Sequence, residues 1–197
     1  MEPHLPHRKL CRRWDIPWEA HYLTFSCFYR RPLLAGERSC RWFLDSLQRA
    51  REKHPFDLWG WVIMPEHVHL LLWPHEGVRI SPLLASLKLP VAKRAIAYLE
   101  ENDPSYLDRL LDVQPNGARA HRFWQRGGGY DRNIRTAQKA YEKLKYIHLN
   151  PIRRKLVTRV EDWPWSSARA WLSGKDEPIP IDRESMPVYI KTKPWEY

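Results

Sequence analysis

The alternation of apolar and polar residues along the chain predicts a protein of mixed α and β structure. Residues 21–29 (HYLTFSCFY) are rich in β-branched and aromatic side chains and predict a first strand. Residues 36–54 carry apolar side chains at helical spacing among charges, which predicts an amphipathic helix that Pro55 ends. Two apolar runs follow at 57–64 and 67–73, and the two residues between them predict a tight hairpin.

The second half of the pattern predicts a helix, a strand and a last helix. Residues 81–100 return to the helical period, and Pro90 is expected to kink or split that helix. After a polar loop, residues 118–125 predict the last strand and residues 133–150 the last helix, which Pro151 should stop. The order of elements predicts a ferredoxin-like α+β sandwich, an antiparallel sheet with two helices on one face, with an added C-terminal helix.

The chain length predicts one domain with extensions, because 197 residues fit a single domain more easily than two. We expect a basic, proline-punctuated N-terminal arm over residues 1–18 and a domain over residues 19–172. Residues 173–197 form a predicted proline-rich extension, and the tail from Trp163 is expected to wrap the surface without a core of its own.

The basic charge is concentrated in one part of the sequence. The chain has a net charge of +10, and residues 119–159, with 12 basic and 2 acidic side chains, carry an excess of the same size. Such a concentration is typical of a surface that binds a polyanion, and nucleic acid is the natural candidate. The alternative is a solvated helix face that keeps the protein soluble.

Composition excludes several other classes of protein. No run approaches the roughly 20 apolar residues needed to cross a bilayer, so we expect no membrane partner. The first twenty residues contain no apolar stretch of the signal-peptide type. The three cysteines have no paired CxxC spacing, which makes a disulfide framework or zinc ribbon improbable and predicts reduced thiols in the cytoplasm.

Two histidines in the second hairpin strand are candidate metal ligands. Side chains two apart on a strand share a face, so His67 and His69 point the same way, while Val68, Leu70 and Leu72 point to the opposite face. Two converging imidazoles are half of a metal site, and a catalytic site would need a third ligand and an open position. The alternative is a pair of partly buried, hydrogen-bonded histidines.

The last predicted helix offers the parts that the histidine pair lacks. Tyr146 and Asn150 are four residues apart and lie on one helix face. An amide oxygen is a hard ligand suited to Mg²⁺ or Mn²⁺, and a nearby tyrosine is a candidate nucleophile on a phosphate. The alternative for Tyr146 is a core aromatic beside Tyr141 and Leu144.

Four runs of sequence carry a resemblance to a known family: WGWVIMPEHVHLLLWP (59–74), HRFWQRGGGYDRNIR (121–135), YIHLNPIRRKLV (146–157) and DWPWSSAR (162–169). In this order and spacing they resemble the REP-associated tyrosine transposases, which belong to the single-tyrosine HUH transposases of the insertion-sequence 200 type. The resemblance covers residues from about 20 to 172.

The resemblance implies a metal-dependent transposase that cleaves and joins single-stranded DNA at palindromic hairpin ends. By position, His67 and His69 are the HUH ligands, Asn150 takes the place of an amide third ligand, and Tyr146 is the nucleophile. The implied ion is Mg²⁺ or Mn²⁺, and the implied intermediate is a 5′-phosphotyrosine. The resemblance leaves open a monomer or homodimer, and whether Tyr146 serves its own chain or a partner.

Further side chains are candidates for contact with DNA. Phosphate contacts are expected from eight basic residues: Arg119, Arg122, Arg126, Arg132, Arg135, Lys139, Lys143 and Lys145. Trp61, Trp73 and Trp124 are candidates for base stacking or for core packing.

The glycines at 127–129 either admit DNA to the backbone or form a turn. A turn position is a sufficient explanation for Glu66, and His148 is expected to pack or to face solvent.

Two alternatives to this function remain on sequence alone. One is a nuclease of the replication-initiator or relaxase kind, which shares the chemistry and usually has further domains. The other is a DNA- or RNA-binding regulator that has kept the fold and lost turnover.

Overall fold

The structure is a computed structural model that describes residues 15–175 and 178–189. Most of the predicted N-terminal arm and the end of the predicted extension fall outside the described residues. In chain order the α-helices and strands are β1 (Ala20–Ser26), α1 (Glu37–Lys53), β2 (Phe56–Met64), β3 (His67–Pro74), α2 (Ile80–Asn102), α3 (Pro104–Asp108), β4 (Leu111–Val113), β5 (Arg119–His121), β6 (Tyr130–Ile134), α4 (Ala137–Arg153) and α5 (Ala168–Ser173). None of the described helices is long and apolar enough to cross a membrane.

A four-stranded antiparallel sheet in the order β2-β3-β1-β6 forms the centre of the protein. This is the strand order of the ferredoxin-like sandwich, and the predicted fold class is confirmed. The predicted first strand, hairpin and first helix all lie within a few residues of their predicted bounds.

The two faces of the sheet pack against different helices. Val68, Leu70 and Leu72 of β3 lie in one apolar cluster with side chains of α1 and α2. Leu71 points the other way, into a second cluster with Leu144 and other side chains of α4. The expected alternation along β3 therefore holds, and it places the two histidines on the face that α4 covers in part.

Helix α2 runs through Pro90 without a break, so of the two expected outcomes, a kink or a split, the split does not occur. A proline inside a helix lacks the N–H group that would bond to the carbonyl four residues earlier, here that of Ser86. The hydroxyl of Ser46 in α1 donates hydrogen bonds to the carbonyls of Ser86 and Leu87, at 3.1 and 2.9 Å. The neighbouring helix thus supplies the donor that the proline lacks, and α2 continues.

The prediction of the last strand over residues 118–125 is wrong. Part of that stretch forms β5, which pairs with β4 in a separate two-stranded sheet. The fourth strand of the main sheet is β6, which follows the glycine-rich turn and pairs with β1. The short apolar run before the turn was mistaken for a sheet strand because pattern alone does not reveal the pairing partner.

The last helix is also shifted from its predicted bounds. Residues 133–136 complete β6 and the N-cap, where the Thr136 hydroxyl accepts a hydrogen bond from the Lys139 N–H at 3.2 Å. Pro151 lies inside the final turn and does not stop the helix, which ends at Arg153. Near a helix end a proline removes a single hydrogen bond, and the last turn tolerates that loss.

The tail covers the outer edge of β2. The Ile63 N–H donates to the Trp165 carbonyl at 2.8 Å, and the Ser167 N–H donates to the Trp61 carbonyl at 3.0 Å. The buried His148 of α4 lies 2.9 Å from the Ser167 hydroxyl. Of its two predicted environments, core packing and solvent, it therefore has the first.

Side chains of the tail also enter the core. Ile179, Ile181 and Met186 are buried, which differs from a tail that only wraps the surface. The domain boundary at residue 172 stays a prediction.

Gly60 allows α4 to approach the sheet closely. It lies at a register shift in β2, and a Cβ at this position would lie 2.3 Å from the Leu144 Cδ1 atom. Leu144 is fully buried, so its side chain has little room to move aside.

We therefore expect Gly60→Ala to lower the free energy of unfolding by about 1–3 kcal/mol, because an extra methyl group overpacks this contact. Urea denaturation followed by fluorescence measures the change. Adding Leu144→Ala should remove the clash, so the cost of Gly60→Ala in that background should be smaller. An equal cost in both backgrounds would contradict this explanation.

Candidate metal and nucleophile site

The pairing register of β1 and β3 places four side chains of the candidate site on one face of the sheet. Thr24 of β1 is the direct partner of His69, and Tyr22 lies two residues away on the same face. His67 lies two residues before His69 on β3. Antiparallel pairing therefore places two hydroxyl groups and two imidazoles on the sheet face that α4 partly covers.

The two histidines converge through their Nε2 atoms, which lie 3.0 Å apart. Two ligands at a right angle around an ion with bonds of about 2.1 Å would also be separated by about 3.0 Å. The same distance suits a hydrogen bond between the rings, which was the alternative for this pair. The donor set and its spacing thus fit a divalent ion.

The outer nitrogens of both rings have polar partners. Nδ1 of His69 lies 2.8 Å from the Tyr22 hydroxyl and 2.7 Å from the Thr24 hydroxyl. Nδ1 of His67 lies 3.2 Å from Glu66 Oε1, at ion-pair distance without hydrogen-bond geometry. An imidazole that donates Nδ1–H to such a partner has its lone pair on Nε2, the arrangement common in metal sites.

Burial keeps both imidazoles neutral at pH 7. Burial, followed by the charges of His67 and Lys143, lowers the pKa of His69 to about 3. Burial also lowers the pKa of His67, although the adjacent Glu66 carboxylate opposes the shift. A neutral imidazole is the form that binds a metal ion.

Helix α4 brings Tyr146 to the histidine pair. The ring of Tyr146 lies 5.6 Å from that of His69 and 6.3 Å from that of Tyr22, nearly perpendicular to both. Its side chain is 39% exposed, so the phenol is not a core aromatic. The structure therefore brings together three of the four candidate catalytic and metal-binding residues: His67, His69 and Tyr146.

Two cations of α4 lie at the Tyr146 ring. Lys143 Nζ is 5.6 Å from the ring centroid, and the Arg153 guanidinium carbon is 4.9 Å from it. Burial, followed by the charge of Arg132, lowers the pKa of Lys143. Two cationic side chains thus flank the ring of Tyr146.

Asn150 is connected to the site through its helix neighbours. Its amide nitrogen lies 3.4 Å from the Tyr146 carbonyl oxygen one turn earlier, and its side chain is buried. One turn later, Arg154 Nη2 lies 3.0 Å from Glu66 Oε1, beside His67. Among the described residues, no group of three His, Cys, Asp or Glu side chains could hold a metal ion. A third protein ligand would therefore be of another type, such as the amide of Asn150.

The eight predicted DNA-binding residues fall into different environments. Arg122 and Arg126 both contact the Asp112 carboxylate beside β5. Arg135 pairs with Glu19 and Lys139 pairs with Glu142, each at 2.7 Å. Exposed positions are held by Arg119, Arg132 and Lys145, and Lys143 lies at the tyrosines. Four of the eight charges are thus partly neutralised by carboxylates of the same chain.

Of the three tryptophans considered for base stacking, two are core residues. Trp61 and Trp124 are 0% and 6% exposed, so neither offers a face to DNA. Trp73 lies on the histidine face, as expected, and packs between Trp59 and Trp18 with ring centroids 6.1 and 6.3 Å away.

The glycine-rich turn packs against the backbone of β1 at Thr24, one of the residues of the site. Gly129 has a φ of +76°, and a Cβ there would lie 2.1 Å from the Thr24 carbonyl oxygen. Its lack of a side chain thus serves a close contact with β1, in line with the turn interpretation.

Sequence reasoning missed several parts of the site. Tyr22 and Thr24 gave no motif, because their role depends on the pairing of β1 with β3. Glu66 was explained as a turn residue, yet its carboxylate is buried against His67. Adjacency in sequence to the histidine pair was the available signal for Glu66.

Comparison with known families supports the resemblance. The family model described as Transposase IS200 like matches residues 18–111. This match includes both histidines and ends before Tyr146 and Asn150.

Two bacterial relatives match over longer stretches. A provisionally named REP-associated tyrosine transposase of Haemophilus influenzae is 27% identical over 126 residues, which are 64% of this chain and 66% of that protein. The REP-associated tyrosine transposase of Escherichia coli is 23% identical over 164 residues, which are 79% of this chain and 80% of that protein. The chain thus spans slightly less than two thirds of the first relative.

A solved structure shares the fold. The REP-associated tyrosine transposase bound to a REP hairpin superposes with a TM-score of 0.60 at 21% identity, covering 92% of this chain and 98% of that one. The family match, the two relatives and the common fold agree. The chain therefore matches the IS200-like transposase family model over residues 18–111, and it is similar to the REP-associated tyrosine transposases in sequence and in fold.

Proposed function

We propose that this protein is a metal-dependent endonuclease and strand transferase that acts on single-stranded DNA. The observation that carries the proposal is the partly exposed Tyr146 ring, which lies 5.6 Å from the ring of His69, whose Nε2 is 3.0 Å from that of His67. A candidate nucleophile and two candidate metal-binding nitrogens thus lie on one face of the sheet. The hairpin-bound relative supports hairpin DNA as the substrate.

His67, His69 and Asn150 are the proposed ligands of Mg²⁺ or Mn²⁺. When bound, such an ion supplies Lewis-acid chemistry at a non-bridging oxygen of the scissile phosphate. Tyr22 and Thr24 lie at hydrogen-bond distance from Nδ1 of His69, and Glu66 lies at ion-pair distance from Nδ1 of His67; these contacts favour the orientation in which both Nε2 atoms face the ion site.

Tyr146 is the proposed nucleophile. Its hydroxyl oxygen attacks the phosphorus atom, the bond to the 3′ oxygen breaks, and a 5′-phosphotyrosine and a free 3′-hydroxyl result. The phenol releases its proton to solvent, and the departing 3′ oxygen takes up a proton. A free phenol has a pKa of about 10, so a tyrosine nucleophile needs help at neutral pH.

Two cations beside Tyr146 contribute to binding of the phosphate. Lys143 and Arg153 lie over the ring of Tyr146, where they stabilise the negative charge of the incoming phosphate. Their positions place them on the same helix stripe as Tyr146, so no conformational rearrangement is required to bring them together.

The covalent link conserves the energy of the phosphodiester bond. A second DNA 3′-hydroxyl attacks the phosphotyrosine, the new phosphodiester forms, and the phenol leaves with a proton. Joining therefore needs no nucleotide cofactor. Because Tyr146 lies beside the histidines of its own chain, we place the nucleophile in cis.

Replacing Tyr146 by phenylalanine should abolish the covalent DNA adduct while DNA binding changes by less than about threefold, because one hydroxyl is lost and the ring remains. The measurement is a denaturing gel after incubation with labelled hairpin DNA and Mg²⁺ or Mn²⁺. Tyr106→Phe, at a partly exposed tyrosine of α3, is the control. An adduct of normal yield with Tyr146→Phe would refute the assignment, and wild-type binding without any adduct would indicate a DNA-binding protein.

Replacing either histidine should remove metal-dependent cleavage. We expect His67→Ala and His69→Ala to weaken Mn²⁺ binding, measured by calorimetry, by about 10-fold or more, because each removes one of the few protein ligands. His75→Ala is the control, since His75 is exposed and pairs with Asp57 at the end of β3. Normal cleavage by His67→Ala with Mg²⁺ would place the site elsewhere.

DNA affinity should fall steeply with salt, because the basic segment releases counterions from the phosphates that it contacts. For single strands the slope of log K against log salt concentration is about −0.7 for each phosphate contacted. Fluorescence anisotropy between low and moderate salt measures this slope. A flat titration would count against the basic segment as the DNA surface.

A further inference from the structure

A cavity of about 360 Å³ adjoins Glu66, next to the histidine pair. Six residues line it: Arg30, Pro32, Pro65, Glu66, Arg154 and Leu156. Glu66 connects the cavity with the histidines, because its Oε1 lies 3.2 Å from His67 Nδ1. A single imidazole ring therefore separates the cavity from the paired Nε2 atoms.

Two arginines converge on the buried carboxylate at the cavity. Arg154 Nη2 lies 3.0 Å and Arg30 Nη2 3.6 Å from Glu66 Oε1, while the Glu66 side chain is only 7% exposed. The arginine side chains are 52% and 65% exposed, so their guanidinium groups reach solvent. The buried carboxylate of Glu66 therefore lies at ion-pair distance from two guanidinium groups that are accessible to solvent.

This arrangement leaves capacity for a second anion. Both guanidinium groups lie at ion-pair distance from Glu66 Oε1 without hydrogen-bond geometry, and each guanidinium has five N–H donors. Two arginines and one glutamate leave one positive charge in excess. A phosphodiester carries one negative charge and several acceptor oxygens, which matches both the excess charge and the donors.

The backbone at Arg30 is held in an unusual conformation. Tyr29 and Arg30 have φ values of +50° and +53°, in the left-handed region that residues other than glycine rarely adopt. The Tyr29 N–H donates to Gln125 Oε1 at 3.2 Å, and the Arg30 N–H donates to the Cys27 carbonyl at 2.9 Å. Such conformations persist where the surroundings enforce them, often at functional sites.

We propose that this cavity is a subsite for a backbone phosphate that flanks the scissile phosphate on the same DNA strand. Arg30 and Arg154 bind this phosphate, and Glu66 preorganises both arginines. The inference rests on the proposed single-stranded DNA activity and adds a second anchor point beside the histidines. With the strand held at this anchor, the scissile phosphate is positioned for Tyr146.

The first test measures the salt dependence of binding to oligodeoxythymidine. Arg30→Gln/Arg154→Gln should make the slope of log K against log salt shallower by about 0.7, the value for one phosphate contact. The control Arg41→Gln/Arg94→Gln removes two arginines of α1 and α2 that pair with Glu37 and Asp45. An equal change of slope in both double variants would overturn the subsite.

The second test locates the phosphate. Each phosphate of a cleavable hairpin oligonucleotide is replaced in turn by a neutral methylphosphonate, and affinity is measured by anisotropy. In the wild type, one position beside the cleavage site should lose about tenfold in affinity, as expected when a charge-assisted contact is removed. In Arg30→Gln/Arg154→Gln, that position should behave like its neighbours. An unchanged profile would show that the arginines serve only Glu66.

Two further measurements keep the outcome clear. If loss of both arginines unfolds the protein because Glu66 is left without a cation, Arg30→Gln alone provides the same comparison at a more exposed side chain. The Tyr146 adduct is scored in parallel. An adduct with an unchanged slope refutes the subsite alone, whereas the expected slope without any adduct refutes the proposed nuclease and leaves an anion site.

Discussion

The contact between α4 and the sheet is the constraint on which the site depends. The backbone of β2 has no side chain at Gly60, and Leu144 fills that space. Because a helix is rigid over a few turns, fixing Leu144 also fixes Tyr146, which lies two residues later. A methyl group added at this contact would displace α4 and so move the phenol relative to both imidazoles. Packing in the core thus sets the distance between the Tyr146 ring and the two imidazole rings.

Electrostatics divides the same face into two regions. Burial favours neutral imidazoles at His67 and His69, which leaves their nitrogens available as ligands. Cations lie around this neutral centre, with Lys143 and Arg153 above Tyr146 and the arginine pair at Glu66 to one side. A polyanionic strand that follows the positive potential is therefore led across the centre.

Strand alternation and helical spacing predicted the fold class, the shared face of the two histidines, and the helix that carries Tyr146. These patterns do not show which strand pairs with which, and that pairing determined the remaining features of the fold. The fourth strand is β6 because it hydrogen-bonds to β1, whereas the equally plausible run at 118–125 found a partner in β4. The continuity of α2 depended on a hydroxyl from α1, distant in sequence. Likewise, Thr24 acquires its role only when distant segments meet, so no local motif marks it.

The edge of β2 illustrates what the last part of the chain contributes. Main-chain groups on this edge bond to residues 165–167, and the Asp182 N–H donates to the Leu58 carbonyl at 2.9 Å. An uncovered strand edge is a template for pairing with another chain. A shortened protein ending before Trp163 would present such a template, and its characteristic failure would be self-association through β2 rather than a modest loss of stability.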